Sequence, residues 1–92
     1  MIPEVMTKDP GDVLDYDVDF TRWLPAGDVV TSAVASIADC TAQIQRTDVS
    51  ENSVKVWISG GADGEDGTVH VLATTDQGRT KDVPFRLRIR SA

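Results

Sequence analysis

From Leu14 to Phe20, apolar and acidic side chains alternate without a break. Leu14, Tyr16, Val18 and Phe20 fall on one side of an extended chain, and Asp15, Asp17 and Asp19 on the other. A period of two predicts a strand with one face in the core and one in water. Trp23-Leu24-Pro25-Ala26-Gly27-Asp28 then breaks the period. Pro25 has no N–H to donate and Gly27 tolerates a positive φ, so a turn carrying a buried Trp23 is expected. The stretch 29–37, rich in Val, Thr, Ser and Ala, reads as a strand. Ala33 to Ile37 has some helical character, but no cap and no run of apolar turns to sustain it. A short strand is expected over 41–46 with Ala42 and Ile44 inward, followed by a polar connection from Asp48 to Ser53.

Val54, Val56 and Ile58 alternate with Lys55, Trp57 and Ser59 in a further strand that stops at Gly60-Gly61. Val69, Val71 and Ala73 mark the inner side of 68–75, and Asp76-Gln77-Gly78-Arg79 reads as a hairpin connection. The last strand, from Thr80 to about Arg90, sets Lys81, Val83, Phe85, Leu87 and Ile89 against Asp82, Pro84, Arg86, Arg88 and Arg90. Pro84 cannot donate to a ladder, which requires an edge position or a bulge there. Residues 1–12 hold Pro3, Pro10 and Gly11 without any period and are expected to be a flexible arm, with Val5 and Met6 as its anchors against a partner. Residues 13–92 are then one domain. Six or seven short strands predict an all-β, two-sheet sandwich of immunoglobulin or fibronectin type, with an oligonucleotide-binding barrel as the second architecture. Its expected core is Leu14, Tyr16, Val18, Phe20, Trp23, Val54, Val56, Ile58, Val69, Val71, Val83, Phe85, Leu87 and Ile89.

Charge changes the picture more than length does. With nine basic and fifteen acidic side chains the net charge is −6, and a nucleic-acid phosphate backbone would be repelled. The distribution is uneven: residues 1–45 carry two basic and eight acidic groups, residues 79–92 five basic and one acidic. Two rows stand out, Asp15-Asp17-Asp19 and Arg86-Arg88-Arg90, each with a two-residue period. They are expected either to pair with one another, if the strands lie close, or to face neighbours in an assembly. A single cysteine, Cys40, rules out an intramolecular disulfide and a Cys-based metal cluster. No window has the apolar length to span a bilayer, and the start lacks a secretory pattern, so synthesis in the cytosol is expected.

Candidate chemistry is sparse. Aspartates two apart on a strand are about 6.5–7 Å from each other, too far for one metal ion to take neighbours unaided. The loop Asp63-Gly64-Glu65-Asp66-Gly67 departs from the calcium-loop spacing and reads as an acidic turn. His70 is the sole histidine, so a His-based metal pair is unavailable. A Cys40–His70 nucleophile would need an orienting third group that nothing indicates, and Ser32, Ser36 and Ser59 sit in strand context rather than at a sharp elbow. No cofactor, metal or catalytic residue is expected. Trp57 shares its side of the strand with Lys55 and Ser59, so either that strand is buried on both sides or the indole lies on a docking surface.

Taken together, Leu14-Asp15-Tyr16-Asp17-Val18-Asp19-Phe20, Trp23-Leu24-Pro25-Ala26-Gly27-Asp28, Val56-Trp57-Ile58-Ser59-Gly60-Gly61, Ala73 to Thr80 and Phe85-Arg86-Leu87-Arg88-Ile89 resemble the small fiber-tail adaptor proteins of tailed bacteriophages. The likeness runs from about Thr7 to Arg90. It implies an immunoglobulin-like, non-enzymatic virion protein in the tail or neck, made in the host cytoplasm and connecting to peripheral fibers or adjacent rings. The implied partners are other tail, neck or fiber proteins, met by multiple copies in a symmetric assembly, with no direct nucleic-acid or membrane contact. Capsid decoration, a head–tail neck role, or a carbohydrate- or peptide-binding module with Trp57 and Tyr16 in one concave patch are the alternatives. Where the family often has an aromatic in the strand after the Ala-Gly-Asp turn, this chain has Ala33, Val34 and Ala35, which predicts lighter packing. Interface candidates are Val5, Met6, Asp15, Asp17, Asp19, Trp57, Arg86, Arg88 and Arg90.

Overall fold

The computed structural model describes residues 5–91, and all regular structure among them is extended. The strands are β1 (Val5–Lys8), β2 (Val13–Asp19), β3 (Val30–Ala38), β4 (Ala42–Val49), β5 (Ser53–Gly60), β6 (Asp66–Thr75) and β7 (Thr80–Ile89). Four make one sheet in the order β1-β7-β6-β3, and three make the other in the order β2-β5-β4. Only the β1–β7 pair is parallel; β2–β5, β4–β5, β3–β6 and β6–β7 are antiparallel. The chain is thus an all-β sandwich of two sheets, not a barrel.

The period of two explains the core. Tyr16, Val18 and Phe20 join Val54, Val56 and Ile58 from one sheet and face Val69, Val71, Ala73, Phe85, Leu87 and Ile89 from the other, all buried. Fully burying an aliphatic or Phe side chain stabilises the fold by about 1.5–3 kcal/mol as an upper estimate. The Tyr16 and Phe85 rings meet across the core with centroids 5.8 Å apart. Trp23 and Val83 are half-buried and pack against its edge, with the Trp23 ring edge-on to Phe20 at 6.3 Å. Packing under β3 is light, as its alanines foretold: Ala33, Ala35 and Ile37 face inward but remain half-exposed.

Three expectations need correction. Leu14 is not core: it is 36% exposed, because β2 is an edge strand whose first inward position is not covered by the opposite sheet among the described residues. The expected arm contains β1, which adds itself to β7 with Val5 opposite Arg86 and Lys8 opposite Ile89; residues 1–4 of that arm lie outside the described residues. Lys8 holds the strand in place. Only 1% exposed, it runs its aliphatic stem into the interior and donates from Nζ to the Gly60 carbonyl at 2.7 Å and the Asp9 carbonyl at 2.8 Å, linking β1 to the end of β5 in the other sheet.

The strand placed at 41–46 extends to Val49, and the polar connection shrinks to Ser50–Asn52. A register shift between Ile44 and Arg46 allows this, since the extra residue lets Ala42 and Ile44 face inward before it and Thr47 after it. Finally, of the two readings open for the Asp and Arg rows, pairing within the molecule is excluded, because β2 and β7 belong to different sheets and Asp15, Asp17, Asp19, Arg86 and Arg88 point outward. Pro84 is accommodated as anticipated: β1 accompanies only Arg86 to Ile89, leaving that flank of β7 at Pro84 without a partner among the described residues.

Candidate interaction surface

The outer face of the β2-β5-β4 sheet is built around Trp57. Register places Asp15 opposite Trp57 on one side and Arg46 opposite it on the other, with Asp17 and Asp48 flanking Lys55 one step along. The indole is half-exposed and fixed at both ends. Its Nε1–H donates to Asp48 Oδ2 at 3.0 Å, and the Arg46 guanidinium lies 4.7 Å from the ring centroid. Arg46 Nε also meets Asp48 Oδ2 at 3.3 Å, while Lys55 Nζ reaches Asp15 Oδ2 at 3.5 Å. Val13, Gln45, Arg46, Trp57 and Ser59 line a shallow depression beside the indole, and Gln45 Nε2 donates to Ser59 Oγ across its floor. Val13 is 58% exposed. Of the two readings open for Trp57, the strand buried on both sides is therefore excluded.

Arg46 and Asp48 were missed by sequence reasoning, for a physical reason. Counting by twos from Ala42 and Ile44 puts Arg46 in the core; the bulge at Gln45 turns it out to the indole. The only local signal was the implausibility of an unpaired inward arginine. Asp19 ends the acidic row in a different role, accepting from the Thr21 hydroxyl at 2.5 Å and the Thr21 amide at 2.8 Å. The hydroxyl bond and then the amide bond hold its carboxyl below the usual range.

The outer face of the other sheet is different in kind. Val34 and Leu72 are direct cross-strand neighbours, 68% and 45% exposed, with His70 nearby making a 3.2 Å contact to Asp82. At its β1–β7 end stand Val5, Arg86 and Arg88. Arg88 Nε lies 3.5 Å from Asp66. Arg90 is occupied inside the chain: it donates to the Glu65 carbonyl at 3.0 Å, the Ile89 carbonyl at 2.7 Å and Asp66 Oδ1 at 3.1 Å, fastening the loop before β6. Of the two anchors proposed in the arm, Val5 faces outward while Met6 packs against the molecule's own core.

A second missed group is Asp28, which joins the turn after β2 to the β6–β7 hairpin. Its buried carboxylate accepts from the Val29 amide at 3.0 Å, the Gln77 amide at 3.2 Å and Arg79 Nη1 at 2.9 Å. Burial alone would raise its pKa, but the bonds from Thr75, Gln77, Arg79 and Val29 outweigh burial and hold it below the ordinary value. The sign follows directly: a lowered folded pKa contributes stability above the unfolded value, near pH 4, and that contribution is lost as pH falls through the folded pKa. Asp28→Asn is expected to lower the melting temperature at neutral pH, with the gap to the parent closing as the pH is taken below 4 in a thermal melt series. A gap that is unchanged or wider in acid contradicts the assignment.

Among the described residues no group of three or more His, Cys, Asp or Glu side chains could hold a metal ion. Cys40 packs against the core beside Gly67, whereas His70 points outward to Asp82, so the two do not form a nucleophile–base pair. Tyr16 points into the sandwich, where burial first and then the Asp12 and Asp15 charges raise its pKa. It and Trp57 therefore lie on opposite faces of the β2-β5-β4 sheet, and no concave patch holds both. The two sheets present dissimilar outer faces.

The model of the podophage GP4 fiber-tail adaptor protein gp77 family matches residues 8–88. The chain belongs to this family. No curated protein matches the chain. Membership gives the protein a structural role in the phage tail and weighs against an enzyme. It also places the described sheet faces in context, since a tail adaptor acts by touching other tail proteins, and the matched span runs from Lys8 through β2 to β6 and nearly to the end of β7.

Proposed function

We propose that the chain is a non-enzymatic virion connector that joins the phage tail or neck to peripheral fibers or an adjacent ring. In this reading it is made in the host cytoplasm, is present in several copies, and holds its neighbours through its two outer sheet faces and β1. The carrying observation is Trp57: a large aromatic side chain, stacked by Arg46 and hydrogen-bonded by Asp48, is held ready on an outer face where the core does not need it. Aromatic anchors preset in this way lose little conformational entropy on docking and dominate interfaces. Val13, Asp15, Asp17 and Asp19 would form the rim.

Trp57→Ala in the phage tests it. The purified variant should fold with a stability change of about 1 kcal/mol or less, because the indole is outside the core. Particles made with it should lack the adaptor or its fibers and lose infectivity. Normal particles carrying full fibers and the variant protein would overturn the assignment of this face. Labelled protein found on the head rather than the tail would favour the decoration alternative instead.

A further inference from the structure

The acidic row on β2 and the basic row on β7 have opposite charge and the same side-chain spacing, about 6.5–7 Å between successive members. They sit on opposite outer surfaces of the sandwich, so one molecule cannot satisfy both. Building on the adaptor reading, we propose that the outer face of β2-β5-β4 in one copy docks on the β1–β7 end of the next, with Asp15 and Asp17 against Arg86 and Arg88. The occupant of each face is thus a second copy of this chain.

Several details favour a second copy over an unrelated basic partner. The complement, with its matching period, is present on the chain itself. Asp17 and Arg86, one from each row, make no ion pair among the described residues. The internal pairs of their neighbours, Asp15 with Lys55 and Arg88 with Asp66, are long at 3.5 Å and half-exposed, the kind that exchanges readily. Each row also ends beside an exposed valine, Val13 next to Asp15 and Val5 across from Arg86, giving apolar contact next to the charges. Arg90 takes no part because its donors are already engaged.

A contact between two different faces is heterologous, so every added copy leaves one acidic and one basic face unmet at the ends. Association continues until a ring closes or another protein caps it. The net charge of −6 opposes this between free molecules, so the contact is weak in dilute solution and is reached at high local concentration.

Neutralising variants separate the possibilities. Asp15→Asn with Asp17→Asn removes one face; Arg86→Gln with Arg88→Gln removes the other. Both change only exposed groups, and circular dichroism confirms folding before use. In sedimentation equilibrium up to the solubility limit, the parent should show a mass that climbs past the dimer, and each variant alone should associate about tenfold less or more weakly still. An equimolar mixture of the two retains one intact junction and should stop at a one-to-one dimer. A parent that stays monomeric, a variant that associates like the parent, or a mixture without heterodimer each overturns the proposal. Particle incorporation of the same variants is scored separately: a monomeric parent that still enters the tail refutes the self-contact and leaves the adaptor reading standing.

Discussion

Replacing Phe85 by alanine is expected to lower folding stability by about 3–5 kcal/mol, the usual cost of deleting a buried Phe ring. Phe85 is 2% exposed and meets the Tyr16 ring across the two sheets, with centroids 5.8 Å apart. Its ladder partner Val69 and the Tyr16 ring across the core both sit on strands fixed by antiparallel ladders, so the walls of the cavity cannot collapse freely. Domains of this size carry little reserve, and the loss takes much of a total that rarely exceeds about 5–15 kcal/mol. Phe85→Leu keeps most of the volume and should cost about 1.5 kcal/mol or less. Urea unfolding followed by tryptophan fluorescence measures both, since Trp23 packs at the edge of the same core. A loss below 1 kcal/mol for Phe85→Ala would mean that the two sheets are not closed around this ring.

Gly67→Ala should be the next most damaging change. Gly67 is buried near the start of β6, where a Cβ would stand 2.5 Å from Cys40 Sγ, 2.9 Å from the Ala38 carbonyl oxygen and 3.0 Å from Cys40 Cβ. The corner that carries the chain from β3 in one sheet to β4 in the other passes directly over this glycine, and Asp39 takes a φ of 69° to make the turn. One added methyl therefore meets backbone as well as side chain. We expect a loss of about 1–3 kcal/mol, the range for overpacked interiors. Cys40→Ala in the same background relieves the sulfur contact and leaves the carbonyl contact. The double variant should recover part of the loss, and a double-mutant cycle should show coupling between the two sites. Full stability in Gly67→Ala alone, or strict additivity with Cys40→Ala, contradicts this packing.

Most of the sandwich was legible because its strands have one wet face and one dry one. β2, β5, β6 and β7 each announce themselves through apolar residues two apart, and the inward set Val54, Val56, Ile58, Phe85, Leu87 and Ile89 is buried in the core as built. Three things were not legible, each for want of a local signal. β1 is four residues long and pairs in parallel with a strand at the far end of the chain, so no hairpin turn marks it, and its inward lysine runs against the usual placement of charge. The bulge at Gln45 inserts one residue without a glycine or proline to show where, and it decides which side of β4 carries Arg46. Leu14 obeys its period and is exposed all the same, because burial depends on the reach of the opposite sheet and not on alternation.

The interaction surface shows the same division. Trp57 could be singled out from its place between Lys55 and Ser59, whereas its fixing by Arg46 and Asp48 needed the register of a third strand. The Asp and Arg rows were visible as rows. Which sheet each belongs to was not, and that assignment decides between the two readings of the rows, placing them on faces that point away from each other.

Imaging intact particles at side-chain resolution tests the connector account most directly. The account predicts density for this sandwich in the tail, with Trp57 and the Asp15–Asp17 row covered by a neighbouring protein chain and the core as described. A tail that lacks the sandwich, or one in which it is present with Trp57 facing open solvent in every copy, would contradict it.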